Sequence, residues 1–227
     1  MNPLNLNKNR IDEYLWYYRQ YYGSEFKAGQ GLDEITDIIS FYSKPGTWAD
    51  LGGGTSSMIW LPAFNQIYKA YCIDKYPEAF FVQETVRKES PSGCYRHILE
   101  RYNKSQRILN NIPIEYIQSD LLCKIDINLL CDNVTQFGLL GLCNSKEHYY
   151  SQLEQLCSLM NRDAVFIGAN WVLSKAYGTI RNLDNTYITL GLIKEWTETH
   201  GRTLLEEREI QIHNEENYDS VLVYAFK

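Results

Sequence analysis

Apolar positions along this chain fall first at helical spacing and then, from Thr47 onward, in short apolar runs alternating with amphipathic stretches. Residues 1–10 are polar. Residues 11–23, IDEYLWYYRQYYG, gather five tyrosines and a tryptophan. Leu32, Ile35, Ile38, Ile39 and Tyr42 then recur at helical spacing, and that run stops at Lys44-Pro45-Gly46, so one or two helices precede the main fold. TWADL predicts a short buried strand, and GGGTSS leads from it into a helix over SMIWLPAFNQIY. KAYCID is the next strand, and PEAFFVQETVRKE the next helix, with Pro77 suited to its first turn. A helix is expected over 97–109, a third strand at IEYIQS, a longer apolar run at NVTQFGLLGLC and an amphipathic helix at KEHYYSQLEQLCSLM. DAVFIGAN is a further strand. The polar stretch WVLSKAYGTIRNLDN follows, then a helix over YITLGLIKEWTETHG closed by Gly201. TLLEEREIQI and SVLVYAFK read as an antiparallel pair. Strands alternating with helices imply an α/β protein with a doubly wound parallel sheet.

Composition narrows the class. A chain of 227 residues suits one α/β domain with an extra segment, and an apolar share of 44% is enough to build its core. The net charge of -6 leaves no basic stripe for a phosphate backbone, so no nucleic-acid partner is expected. The 18 Tyr, 8 Phe and 5 Trp supply core packing and the means to line a pocket that attracts cations and flat molecules. The six cysteines form no CxxC pair and sit mostly in apolar runs, which reads as buried free thiols. Four scattered histidines make a metal site an unpromising reading, so no metal is expected. No apolar leader stands at the start and no apolar stretch approaches about 18 residues, so a cytoplasmic protein without a membrane partner is expected.

The chemistry concentrates where strands end. Asp50-Leu51-Gly52-Gly53-Gly54-Thr55-Ser56 takes a buried strand through a glycine turn into a helix, where backbone can approach a ligand and free N–H groups collect. Cys72-Ile73-Asp74 closes the second strand with an acid, the residue type that accepts ribose hydroxyls at this place in such sheets. A dinucleotide site would carry a third glycine where Ser57 stands, and Asp50 would repel a pyrophosphate. The same carboxylate suits the amino group of a methionyl moiety, directly or through water. The charge therefore favours S-adenosylmethionine over a dinucleotide. A purely structural glycine turn is the plainer alternative, and it leaves the spaced acid unexplained. Ser119-Asp120-Leu121, after the third strand, would place a carboxylate against an adenine amine; alone it would be an ordinary strand-ending acid.

Taken together these segments resemble the small-amine methyltransferases of nicotinamide, phenylethanolamine and indolethylamine/thioether. The resemblance is carried by Tyr14-Leu15 with Tyr17 and Tyr18, DLGGGTS, CID, QSDLL, GLLGLC before an amphipathic helix, and FIGANWVLSKAYG, and is weak over residues 80–112. It implies a Rossmann-like, doubly wound, seven-stranded class I methyltransferase sheet in which the last strand inserts antiparallel. It divides the chain into an N-terminal helical lid segment, 1–45, and a cofactor-binding domain, 46–227. It implies S-adenosyl-L-methionine as cofactor, held by Tyr14 and Tyr18 of the lid, by Asp50, Gly52, Gly53, Gly54 and Ser56, by Asp74 and Lys75, and by Ser119, Asp120, Leu121 and Leu142. Tyr14, Tyr18, Asn170, Ser174 and Tyr177 would shape the acceptor site for a small-molecule substrate. The chain departs from the family in two places: it is shorter after Cys143, and Asn170 stands where the family usually has a carboxylate.

The implied reaction is N- or S-methyl transfer by in-line displacement, which needs no general base when the acceptor has a free lone pair. Two alternatives stay open. One is an intramolecular attack of the cofactor's own amino group on its γ-carbon, giving azetidine-2-carboxylate and methylthioadenosine. The other is a non-catalytic module that binds the cofactor.

Overall fold

The computed structural model describes residues 6–23, 26–123, 125–213 and 215–227. Half of the polar start expected over 1–10, namely residues 1–5, lies outside the described residues. The first helix, α1 (Lys8–Tyr18), begins at Asn7, whose side-chain oxygen accepts from the N–H groups of Asn9 and Arg10, and runs into a wide, π-type turn over Arg19–Gly23. Helix α2 (Leu32–Tyr42) follows.

Seven strands form one sheet: β1 (Gly46–Leu51), β2 (Ile67–Asp74), β3 (Ile114–Gln118), β4 (Cys131–Phe137), β5 (Met160–Leu173), β6 (Leu204–Gln211) and β7 (Tyr218–Phe226). Their order is β3-β2-β1-β4-β5-β7-β6. The first five run parallel, and β7 inserts antiparallel between β5 and β6. From β1 the chain winds outward through β2 and β3, then returns to pair β4 on β1's other side. That reversal leaves a crevice at the carboxyl ends of β1 and β4, where open α/β sheets bind ligands.

Alternation along the strands fills both faces. Val221, Val223 and Ala225 of β7 face one core with Trp48, Trp60 and Ile98; Leu222, Tyr224 and Phe226 face the other with Tyr149, Leu153 and Trp196. Helices α3 (Ser57–Trp60), α4 (Pro77–Lys88) and α5 (Gly93–Arg101) cover the first face, and α7 (Lys146–Cys157) and α9 (Leu192–Thr199) the second. The short helix α6 (Gln106–Leu109) adds Leu109 to the first core, whereas α8 (Lys175–Arg181) buries none of its residues.

Several expectations are corrected. The boundary at residue 45 divides no core: Ile35, Ile38 and Ile39 of α2 are buried in the same cluster as Trp48 of β1, and Tyr18 at the end of α1 belongs to that cluster too. The helix expected over SMIWLPAFNQIY ends after α3 and one 3-10 turn, Leu61–Ala63, where Pro62 contributes no N–H, and β2 already begins at Ile67. The helix expected over 97–109 is two helices, broken at Asn103 with φ +49°. Strand β5 continues through Trp171 to Leu173, into the stretch read as polar. The last helix starts only at Leu192, because Gly191 in the left-handed region caps it. All six cysteines are free, and five are buried. None of the described helices is long and apolar enough to cross a membrane.

The second core leaves no slack where β5 meets β7. Gly168 pairs with Tyr224, and a Cβ on Gly168 would overlap the Tyr224 ring, itself 0% exposed. Gly168→Ala is expected to lower stability by about 1–3 kcal/mol, the range for overpacking a filled core. Urea denaturation at neutral pH checks this, and an unchanged midpoint would contradict it.

Candidate functional site

A cleft of about 800 Å³ opens at the carboxyl edge of the sheet. Its floor is the turn after β1. Gly52 and Gly54 take φ of +66° and +52°, which lets the chain reverse within the turn and present backbone to the cleft. Gly52 N–H donates to the Ile73 carbonyl at 2.8 Å, so the turn is fastened to β2. Gly54 N–H donates to Asp74 Oδ2 at 3.0 Å, while Tyr76 N–H donates to Oδ1, also at 3.0 Å. Asp74 is thus held rigidly at the tip of β2, only 8% exposed, with burial raising its carboxyl pKa and these N–H bonds opposing the rise. Beside it, Lys75 Nζ lies 2.7 Å from Asp120 Oδ2 and holds the Asp120 carboxyl below its ordinary value.

Asp50 does not reach the cleft. It is 0% exposed beneath the glycine turn; Thr135 Oγ1 donates to its Oδ1 at 2.8 Å, and its Oδ2 has no hydrogen-bond partner. A Cβ on Gly53 would overlap both Asp50 Oδ2 and Ser57 Oγ, so the turn lies directly on the carboxylate. Burial pushes the Asp50 carboxyl up to about 6, against the pull of Ser57 and Thr135. Any influence of Asp50 on a ligand passes through the turn as field rather than as contact.

Tyr14, Gly52, Gly53, Gly54, Ser56 and Asp74 all line the cleft. So do Lys75, Ser119, Asp120, Leu121, Leu142 and Tyr177. Tyr18, Asp50, Asn170 and Ser174 do not, and each has a physical reason. Tyr18 turns into the core, where Cys94 and Tyr95 are its neighbours. Asn170 lies on the opposite face of β5 from Trp171 and belongs to a sealed network: its Oδ1 accepts from Tyr149 Oη at 2.8 Å and from Gln136 Nε2 at 2.9 Å, and Gln136 Nε2 also donates to Tyr224 Oη at 2.7 Å. Ser174 caps α8, accepting from Tyr177 N–H at 3.3 Å and donating to the Glu216 carbonyl at 2.7 Å. It sets the helix that carries Tyr177 and presents nothing to the cleft.

Other residues complete the walls. Past the wide turn, Tyr21 and Tyr22 face the cleft together with Tyr17, Trp171 and Tyr218. The same five rings continue into a side pocket of about 80 Å³ backed by Trp60. Asn185, 1% exposed, joins the far wall: its side chain donates to the carbonyls of Gly141 and Trp171 and accepts from Leu173 N–H. The alternation of β5 was the available signal for Trp171, since in a strand neighbours face opposite sides. For Asn185, in a polar stretch far along the chain, there was none. Burial raises the hydroxyl pKa of Tyr14, Tyr22 and Tyr218, and the nearby Asp74 charge adds to the effect at Tyr14. These phenols keep their protons at neutral pH and act as donors or π-faces. Among the described residues no histidine lines the cleft, and no three His, Cys, Asp or Glu side chains come together to hold a metal ion.

No family model matches the chain, and neither does any curated protein sequence. Among solved structures, it is similar to the N-methyltransferase NodS from Bradyrhizobium japonicum WM9 in complex with S-adenosyl-L-homocysteine, at 12% identity over 96% of both chains, with a TM-score of 0.58. It is similar to an S-adenosylmethionine-dependent methyltransferase from Clostridium acetobutylicum ATCC 824, at 10% identity over 96% of this chain and 99% of that one, with a TM-score of 0.57. It is also similar to DhpI in its S-adenosylhomocysteine complex, at 13% identity over 96% and 91%, with a TM-score of 0.56. At this identity the likeness is one of fold. The seven-stranded mixed sheet with flanking helices is the Rossmann-like class I methyltransferase fold.

Proposed function

We propose that the protein is an S-adenosylmethionine-dependent methyltransferase acting on a small molecule. Asp74 carries this reading: a nearly buried carboxylate at the end of the second strand, tied to the glycine turn by Gly54 N–H and facing the cleft. The residues present fit the nucleoside. A Cβ on Gly54 would meet no atom within 4 Å, so the space above the turn is open to a ligand. The orphaned, buried oxygen of Asp50 lies just under that turn and favours a cationic group above it.

Asp74 would accept from the ribose hydroxyls, and Asp120, with Ser119 and Leu121, would border the adenine. Tyr14 would donate its hydroxyl from the lid, and the rings of Tyr17, Tyr21 and Tyr22 would exclude water from the reacting end. When bound, S-adenosylmethionine supplies an activated methyl carbon on a sulfonium, so the chain's task is to orient, desolvate and offer aromatic faces to positive charge. The protonated phenols offer no general base at neutral pH, which suits an acceptor with a free lone pair. The cleft's volume lies in the upper part of the range of about 300–1,000 Å³ typical of small-molecule sites, which favours a nucleoside with an acceptor beside it. The small amines of the resembled family are the first acceptors to try, although Asn170, the residue at the family's carboxylate position, is sealed in the core and offers an amine nothing.

Intramolecular attack on the γ-carbon is the second reading, favoured by the density of rings around the cleft. Incubation with S-adenosylmethionine, with and without a panel of small amines and thioethers, followed by mass spectrometry of the nucleoside product, decides between them. S-adenosylhomocysteine formed only with an acceptor is the expected result. Methylthioadenosine formed without one would replace methyl transfer by cyclisation. Intact cofactor throughout, despite binding, would leave a binding module.

A further inference from the structure

Helix α1 spans the cleft although little of it is built into the core: of its 11 residues only Tyr18 is buried. An isolated helix of this length is marginal in water, so its hold on the protein comes from specific contacts. Ile11, Tyr14, Leu15 and Tyr18 pack against the first core, and the polar contacts gather at one residue. Glu78, in the first turn of α4, is 3% exposed. Its Oε1 accepts from Asn7 N–H at 2.8 Å, and its Oε2, which makes no hydrogen bond, lies 3.7 Å from the Arg10 guanidinium. The same guanidinium sits 3.8 Å over the ring of Tyr76. A buried carboxylate is costly unless paired, and this one finds its partners on the segment that opens α1. Tyr76, under Arg10, is also the residue whose N–H fixes Asp74. One turn of chain, Asp74 to Glu78, therefore holds both the acid of the nucleoside site and the fastening of the helix above it. At its other end α1 passes into the wide turn Arg19–Gly23, a π-type form often found at functional sites. Between the two lie Tyr14 and Tyr17, both in the cleft wall.

We propose that Glu78 is a positioning residue that latches α1 across the cleft and so sets how fast a bound nucleoside leaves. The second half of this statement rests on the proposed nucleoside site; the first does not. Local opening of a weakly packed helix is the lowest-energy way out of such a cleft. Loosening the latch then accelerates departure while leaving the nucleoside's own contacts intact.

The test compares the wild-type protein with Glu78→Gln and Arg10→Gln by amide hydrogen exchange without ligand, and by the dissociation rate of S-adenosylhomocysteine. In Glu78→Gln, exchange across residues 8–18 is expected to rise at least tenfold with β1 and β2 unchanged, and dissociation to accelerate at least tenfold with association changed far less. Arg10→Gln, which keeps the Asn7 bond, should give smaller changes in the same direction. Unchanged exchange in both variants overturns the latch. So does an acceleration spread evenly over β1 and β2, which would make Glu78 a support of the fold. Should the wild-type protein bind no S-adenosylhomocysteine, the nucleoside reading falls, and the exchange measurements still decide whether Glu78 holds the helix.

Discussion

Replacing Asp74 with Ala is expected to weaken S-adenosylhomocysteine binding at least about 100-fold. Hydrogen bonds to a charged acceptor contribute about 1.5–3 kcal/mol each, and two ribose hydroxyls would lose theirs; every 1.4 kcal/mol is about tenfold in affinity. The substitution also frees Gly54 N–H and Tyr76 N–H, so the glycine turn and the start of α4 lose their common tether. Isothermal titration calorimetry measures the affinity. A dissociation constant within about threefold of wild type would remove Asp74 from the site and with it the main support for a nucleoside.

The second large effect has opposite signs in stability and binding. Asp50→Asn is expected to stabilise the free protein and to weaken binding of the cationic cofactor. The Asp50 carboxyl is raised from 3.8 to about 6, so between those values the folded chain keeps a proton that the unfolded chain has released. Stability from this group therefore falls as pH rises through that window and stays reduced above it. A shift of this size corresponds to about 3 kcal/mol at neutral pH. An amide at 50 can still accept from Thr135 and carries no charge to desolvate. Melting temperatures should exceed wild type by several degrees at pH 8, at about 2–4 °C per kcal/mol for a chain of this size, with the gain shrinking towards pH 4. A variant less stable than wild type at pH 8, or a gain independent of pH, would sink the assignment. Wild-type affinity for S-adenosylmethionine should fall as pH drops below about 6, as Asp50 takes up its proton, and the variant should lose that component.

The strand–helix alternation from Thr47, the glycine turn after β1, the acid closing β2 and the terminal antiparallel pair were all written in the sequence. Each is a local signal. Left-handed φ at Gly52 and Gly54, the unbroken apolar run of β7 and the end of a strand at Asp74 depend on residues a few places away. The floor of the cleft, from Gly52 to Ser56 with Asp74 and Asp120, was legible for that reason. Where a helix ended early, at Pro62, or began late, after Gly191, the breaker stood in the sequence but was outweighed by the apolar pattern around it.

What tertiary structure alone decided is which way side chains point once layers meet. Asn170 and Trp171 are neighbours in β5, yet packing against α7 seals the first into a network with Tyr149, while the second turns to the cleft. Asp50 and Asp74 are both acids at strand ends; only the placing of Gly53 over the former makes one a buried field source and the other a contact. Tyr18 and Tyr22 occur in one tyrosine-rich run, and docking of the segment sends the former to the core and the latter to the cleft wall. Glu78 meets Asn7 across 71 positions of chain. Periodicity fixes a residue's face relative to its near neighbours, whereas the partner that face meets depends on closing loops of tens of residues, and no local pattern encodes that.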